Sequence, residues 1–164
     1  MALLDCDRLF PQDPKGLGLA RALFSSIRDL PILSPHGHTD PEWFATNQPF
    51  ENPAALFVTP DHYVCRMLNS HGIALENLGI KPIDGANYEK DSRKIWKRFA
   101  SHYYLFRGTP TRLWVDQVLQ ELFKVDRVLS KETADEIYDQ IDHLLKQPEF
   151  SPRALFERFN IEVL

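Results

Sequence analysis

His36 and His38 flank a single glycine in the run Leu33-Ser34-Pro35-His36-Gly37-His38-Thr39-Asp40-Pro41. In an extended backbone, residues two apart project to the same side, so the two imidazoles can converge on one ion. Neutral imidazole is the commonest ligand of zinc and related divalent metals. Gly37 adds no bulk between them, and the apolar run Leu30-Pro31-Ile32-Leu33 would seat the pair at the C-terminal end of a strand. A chain with 6 histidines also produces such a pair by composition alone. The motif by itself leaves a metal site and a chance pairing both open.

A second group follows in Thr59-Pro60-Asp61-His62-Tyr63-Val64-Cys65-Arg66. Here His62 falls in the first turn of a helix, whose positive end favours nearby anions. Arg66 lies four residues on, above the same face. An imidazole, a phenol and a guanidinium grouped this way suit a carboxylated or polyhydroxylated ligand, and Tyr63 can donate to a carbonyl or hydroxyl. The plainer alternative makes Tyr63 a core residue and leaves His62 and Arg66 solvated. Other candidates carry less. His71 precedes Gly72 and reads as a helix C-cap, while His102-Tyr103-Tyr104 continues an amphipathic helix. Arg107-Gly108 is a loop able to hold an anion, and His143 lies on a polar helix face. No glycine-rich phosphate loop or nucleophile elbow is present.

The elements that must position these groups are mainly helical. Asp13-Pro14 starts a helix over 14–28 with Ala20, Leu23, Phe24 and Ile27 on an inward stripe. Asn52-Pro53 opens a short apolar turn, and Thr59-Pro60 opens a helix with Tyr63, Val64, Met67 and Leu68 inward, ending near Gly72. Residues 76–92 read as a connecting loop. Ile95, Trp96, Phe99 and Tyr103 follow a helical period. Thr109-Pro110 caps a helix with Leu113, Trp114, Val118 and Leu122 on its apolar side. Ser130 caps another, with Ala134, Ile137, Tyr138, Ile141, Leu144 and Leu145 on one face, and Ser151-Pro152 begins a last one. Strand signals are confined to about residues 31–34 and 161–164.

Composition narrows the function classes. The 164 residues are 43% hydrophobic and 26% charged, the balance of a globular protein. No apolar run is long enough to span a bilayer, and the acidic residues near the N-terminus break any signal-peptide core. A cytoplasmic protein with no membrane partner is therefore expected. The net charge of -4 comes with dispersed basic residues, so no nucleic acid is expected as a partner. The densest basic group, Arg93, Lys94, Lys97 and Arg98, reads as one solvated helix face. Cys6 and Cys65 form no metal-type pair and are expected to be reduced thiols.

At the His36-Gly37-His38 and Asp61-His62-Tyr63 motifs the sequence resembles the uronate (glucuronate) isomerases of the amidohydrolase superfamily. The likeness continues through Lys131-Glu132-Thr133-Ala134-Asp135-Glu136-Ile137, Phe150-Ser151-Pro152-Arg153 and Arg158-Phe159-Asn160-Ile161-Glu162-Val163-Leu164. His-x-His alone is shared across the superfamily; its combination with Asp-His-Tyr and the late strand is much more specific. The resemblance implies that His36 and His38 are metal ligands for a divalent ion, most simply zinc, and that His62 and Tyr63 line the site of a uronate sugar as its substrate. Arg66 is added as a substrate-binding residue from its place on the helix surface. Family members usually carry Cys between the two histidines and Leu after them, where Gly37 and Thr39 stand here. Neither is a ligand position.

The implied reaction is aldose–ketose interconversion of glucuronate to fructuronate, or of galacturonate to tagaturonate, with Tyr63 and His62 assisting proton movement. The implied fold class is α/β, the N-terminal part of a (β/α)8 TIM-type barrel. It would hold the first strand at about 31–34, a helical insertion at about 41–159 and the start of the second strand at about 161–164. Such a barrel needs eight strands and typically about 250 residues. The chain is therefore expected to be an N-terminal portion, inactive alone, with the missing C-terminal barrel portion or a homo-oligomer as its partner. Two alternatives stand beside this one: a metal-dependent hydrolase of the same superfamily, and a non-catalytic helical binding module.

Overall fold

The computed structural model describes residues 4–164. Eight α-helices and two short strands are found there. Helix α1 spans Pro14–Ile27, β1 Ile32–Leu33, α2 Pro41–Thr46, α3 Pro53–Phe57 and α4 His62–Ser70. Helix α5 spans Ser92–Ser101, α6 Pro110–Gln117, α7 Ala134–Leu145, α8 Pro152–Arg158, and β2 Ile161–Val163. Short 3₁₀ turns lie at Leu75–Leu78, Tyr103–Phe106 and Pro148–Phe150, and a π-turn at Val118–Leu122 extends α6. No helix among the described residues is long and apolar enough to cross a membrane.

The helices start where short acceptor side chains meet free backbone amides. Asp13, Asp40, Asn52, Asp61, Asp91 and Thr109 each cap the helix that follows. Two caps differ from the sequence expectation. Asp61 rather than Thr59 caps α4, because its carboxylate reaches two amides at once. Helix α7 begins at Ala134 rather than just after Ser130, since Thr133 Oγ1 holds the preceding turn through the Ser130 amide and the Val128 carbonyl.

The core lies entirely in the helical middle of the chain. Trp96, Phe99, Tyr103, Phe106 and Phe123 are fully buried with Val58, Val64, Leu68, Leu78, Ile137, Ile141 and Leu145. Helices α5 and α7 form its spine. Trp96 Nε1–H donates to the Ala134 carbonyl at 2.9 Å, and Tyr138 hydrogen-bonds Ser92 at 2.7 Å. Phe99 meets Tyr103 and Phe106 edge-on at 5.2 and 5.7 Å, the preferred geometry for aromatic quadrupoles. The basic face expected to be merely solvated instead ties elements together. Arg93 reaches Asp135 and Asp139 on α7, Lys97 reaches Asp135 at 2.8 Å, and Arg98 binds Glu89 at 3.2 Å. The last contact, with Glu89 N–H on the Glu76 carbonyl, orders part of the expected 76–92 loop.

Strand β1 is not solitary. It pairs in parallel with β2, Ile32 opposite Ile161 and Leu33 opposite Val163, with an irregularity between the two. Ile32 N–H donates to the Asn160 carbonyl and Ser34 N–H to the Val163 carbonyl, both at 2.8 Å. Nearly the whole helical segment is thus a crossover between two adjacent parallel strands, as parallel pairing requires. Two apolar stripes depart from expectation. On α1, Leu23, Phe24 and Ile27 face outward, and Leu23 is 60% exposed, because no described element lies over them beyond the edge of Phe10 against Phe24. On α6, Val115 and Leu119 point inward while Leu113 and Trp114 face out, because Thr111, Val115 and Leu119, four residues apart, form the stripe that meets the core.

Candidate functional site

His36 and His38 follow β1 directly, and the structure brings their rings together. The two Nε2 atoms lie 3.1 Å apart, with ring centroids at 5.0 Å. Two nitrogens bound to one zinc at 2.0–2.1 Å in tetrahedral geometry would stand roughly 3.3 Å apart. The imidazole pair therefore fits the edge of a metal coordination shell. Both rings are exposed, and no third His, Cys, Asp or Glu among the described residues converges with them. The one three-group cluster found there, Asp5, Cys6 and Asp7, has its Asp7 carboxylate engaged by Arg21.

The loop carrying the histidines is tied at both ends by the C-terminal segment. Before it stand the β1–β2 bonds and Asn160 Nδ2, which donates to the Asp29 carbonyl at 3.3 Å. After it, the Asp40 carboxylate caps α2 through Glu42 N–H at 2.9 Å. Arg153 on α8 closes the far end, its guanidinium donating to the Phe44 and Ala45 carbonyls at 2.8 and 3.1 Å. Its amide donates to Asn47 Oδ1 at 3.0 Å. A Cβ placed on Gly37 would meet Leu164 at 3.8 Å, an ordinary contact. The glycine is not sterically required, and a larger residue can stand between the two histidines without disturbing them.

The second group sits on the first turn of α4. Asp61 Oδ1 accepts from Tyr63 N–H at 2.8 Å and from Val64 N–H at 3.1 Å, which fixes the turn. His62 stacks on Tyr63 with centroids 4.2 Å apart, and the Arg66 guanidinium lies 5.2 Å from the Tyr63 ring centre. Tyr63 is 53% exposed, so its expected inward orientation is corrected: Val64, Cys65 and Leu68 are the residues α4 buries. Burial, with Asp61 nearby, pushes the Cys65 thiol up from its usual pKa, and its Sγ contacts the Val58 carbonyl at 3.3 Å. That thiol is a packing group. No hydrogen bond or ring contact links the His36–His38 pair to the His62–Tyr63–Arg66 group.

Sequence reasoning missed what lies beside Tyr63. A cavity of about 650 Å³ opens between α4 and α6, with Tyr63, Arg66, Phe106, Thr109, Thr111 and Trp114 in its wall. The available signal was Trp114, which faces outward because Thr111, Val115 and Leu119 form the buried stripe of that helix.

A mostly helical segment closing on two parallel strands, with paired imidazoles at the end of the first, is the class of structure defined here. The family model for glucuronate isomerase matches residues 17–164. The chain is 58% identical over 164 residues to a uronate isomerase of Mesorhizobium japonicum, covering 100% of this chain and 35% of that protein. It is 52% identical over 162 residues to the uronate isomerase of Rhizobium meliloti, covering 99% of this chain and 34% of that one. Among solved structures, the glucuronate isomerase of Caulobacter crescentus superposes with a TM-score of 0.94 at 48% identity, over 98% of this chain and 33% of that one. The uronate isomerase of Thermotoga maritima gives 0.83 at 29% identity, over 100% of this chain and 33% of its own. The chain belongs to the glucuronate isomerase family, and it spans about a third of the length of the relatives it matches.

Proposed function

We propose that this chain contributes the N-terminal strands, the helical crossover and part of the active site of a uronate isomerase that interconverts an aldose uronate and its ketose. The uronate isomerase relative at 58% identity carries this reading, and the paired Nε2 atoms at 3.1 Å support it. In it, β1 and β2 are the first two strands of a (β/α)8 barrel, and residues 41–159 are an insertion between them. The uncovered apolar residues of α1, β1 and β2 are then the face on which the rest of the barrel packs.

His36 and His38 would hold a divalent ion, zinc by ligand chemistry, with further ligands from later strands. When bound, that ion supplies polarisation of substrate oxygens. The chain's own proton carriers are His62 and Tyr63, stacked and open to solvent. Moving a hydrogen between C2 and C1 needs a base at C2 and a donor at the carbonyl oxygen. A phenol and an imidazole on one helical turn serve these two needs, and Arg66 on the same turn offers a cation to the substrate carboxylate.

The test is isomerisation of D-glucuronate and D-galacturonate with added zinc or manganese. The 164-residue chain is compared with a chimaera joining it to the remaining two thirds of the Mesorhizobium relative. Ketose formation by the chimaera alone, lost in Tyr63→Phe and in His36→Ala, is the expected result. A chimaera that folds and hydrolyses amides or esters but leaves uronates untouched would replace the reading with a hydrolase. Turnover by the 164-residue chain alone would refute its dependence on later strands.

A further inference from the structure

We infer that Arg153 is a positioning residue for the loop of residues 34–40, holding its far flank so that His36 and His38 converge on one divalent ion. The inference rests on the metal reading above. It extends that reading to a side chain whose hydrogen bonds go to the end of α2 and to neither histidine.

The loop has little of its own to fix it. None of residues 34–40 is buried, and within it Ser34 Oγ donates to the His36 carbonyl at 2.8 Å. A segment so poor in packing takes the shape that its ends impose. One end leaves β1, where the Ser34 amide donates to the Val163 carbonyl at 2.8 Å. The other runs straight into α2, which buries none of its residues. The far end of the loop is therefore placed by whatever attaches α2 to the rest of the molecule.

That attachment is reciprocal capping between α2 and α8. Helix α8 has no capping side chain of its own, and Asn47, at the end of α2, supplies one by accepting from the Arg153 amide at 3.0 Å. In return the Arg153 guanidinium donates to the Phe44 and Ala45 carbonyls at 2.8 and 3.1 Å, in the turn where carbonyls lack partners within a helix. Beside these bonds the Phe44 and Phe156 rings meet edge-on at 5.6 Å. Helix α8 is itself anchored, since Pro152 is buried and Leu155 packs against the core. It leads through Asn160 into β2, which pairs with β1. Residues 152–163 thus bracket the loop, with β2 on the near flank and Arg153 on the far one. Two ligands already held at their working separation lose less freedom on binding an ion than two that must be gathered. Removing Arg153 frees α2, so affinity for the ion falls although no ligand has changed.

The experiment measures zinc affinity of the chimaera by competition with a chromogenic chelator, in the parent and in four variants. His36→Ala should abolish binding at this site. Arg153→Ala should bind zinc about tenfold more weakly, the effect expected of groups that orient ligands without being ligands. Asn47→Gly keeps the left-handed turn at φ 53° and loses one of the bonds, so it should bind about threefold more weakly. Trp96→Phe weakens the core away from the loop and should bind zinc as the parent does. Unchanged affinity in Arg153→Ala overturns the proposal, and if that variant does not fold, unchanged affinity in Asn47→Gly does so. A loss in Trp96→Phe as large as in the bracket variants also overturns it, because general stability then accounts for the effect. Zinc binding that survives His36→Ala overturns it as well. The two readings fail separately. Turnover of uronates with zinc affinity indifferent to Arg153 removes only the bracket, whereas the expected zinc affinities without turnover keep the bracket and remove the isomerase.

Discussion

Replacing Asp61 by alanine tests whether one capping carboxylate holds the turn that presents His62 and Tyr63. The carboxylate accepts from two amides, at 2.8 and 3.1 Å, that have no partner within α4. Loss of an N-cap side chain costs about 1 kcal/mol. Removing a negative charge from the positive helix end adds about 0.5 kcal/mol. The sum, about 1.5 kcal/mol, corresponds to a fall of roughly 3–6 °C in Tm for a chain of this size. Asp61→Asn keeps the acceptor and loses only the charge, so it should cost about 0.5 kcal/mol. Thermal and urea unfolding followed by circular dichroism give these values. Amide exchange should localise the effect, with Tyr63 and Val64 exchanging about tenfold faster in the alanine variant. An alanine variant as stable as the parent, or an asparagine variant as damaged as the alanine one, would refute the assignment of Asp61 as the element that positions the pair.

Trp96→Phe removes the hydrogen bond to the Ala134 carbonyl and leaves a space in the α5–α7 spine. It should cost about 2 kcal/mol by urea unfolding, and a loss below about 0.5 kcal/mol would show that the indole N–H is dispensable. Acidification should loosen the same spine. Lys97, with Arg93, holds the Asp135 carboxyl below its usual pKa, and the Asp91 amide, with Arg98, does so for Glu89. Depressed carboxyl pKa values give stability that is full above the unfolded value near 4 and lost as pH falls through the folded value. Asp135→Asn should therefore flatten the decline in urea midpoint below about pH 4, and an unchanged decline would discount the pair. Leu23→Ser should change the stability of the 164-residue chain by less than about 0.5 kcal/mol because Leu23 faces solvent. A large loss in unfolding experiments would mean that the α1 face is covered.

Much of the local structure is legible in residue order. Capping residues, helical periods and breakers act over a few positions. For that reason Asp13, Thr109, the Ile95–Trp96–Phe99–Tyr103 stripe and the Ile137–Ile141–Leu145 face all stand where their neighbours place them. The convergence of His36 and His38 is likewise a property of extended backbone two residues apart. Which side of a helix meets the core is a longer-range matter. Tyr63 and Trp114 occupy positions with apolar periodicity, yet the stripes that meet the core are Val64–Cys65–Leu68 on α4 and Thr111–Val115–Leu119 on α6, so both rings face outward beside one cavity. The stripe on α1 has the pattern of a buried face, but burial needs a partner surface, and none of the described elements supplies one. The β1–β2 pairing joins residues more than a hundred positions apart, and Arg153 fastens α8 onto the end of α2 across a similar distance. Sequence alone determined the chemistry available and the helices that carry it. Only tertiary structure decided which of those groups share a surface, because that depends on contacts no local pattern encodes.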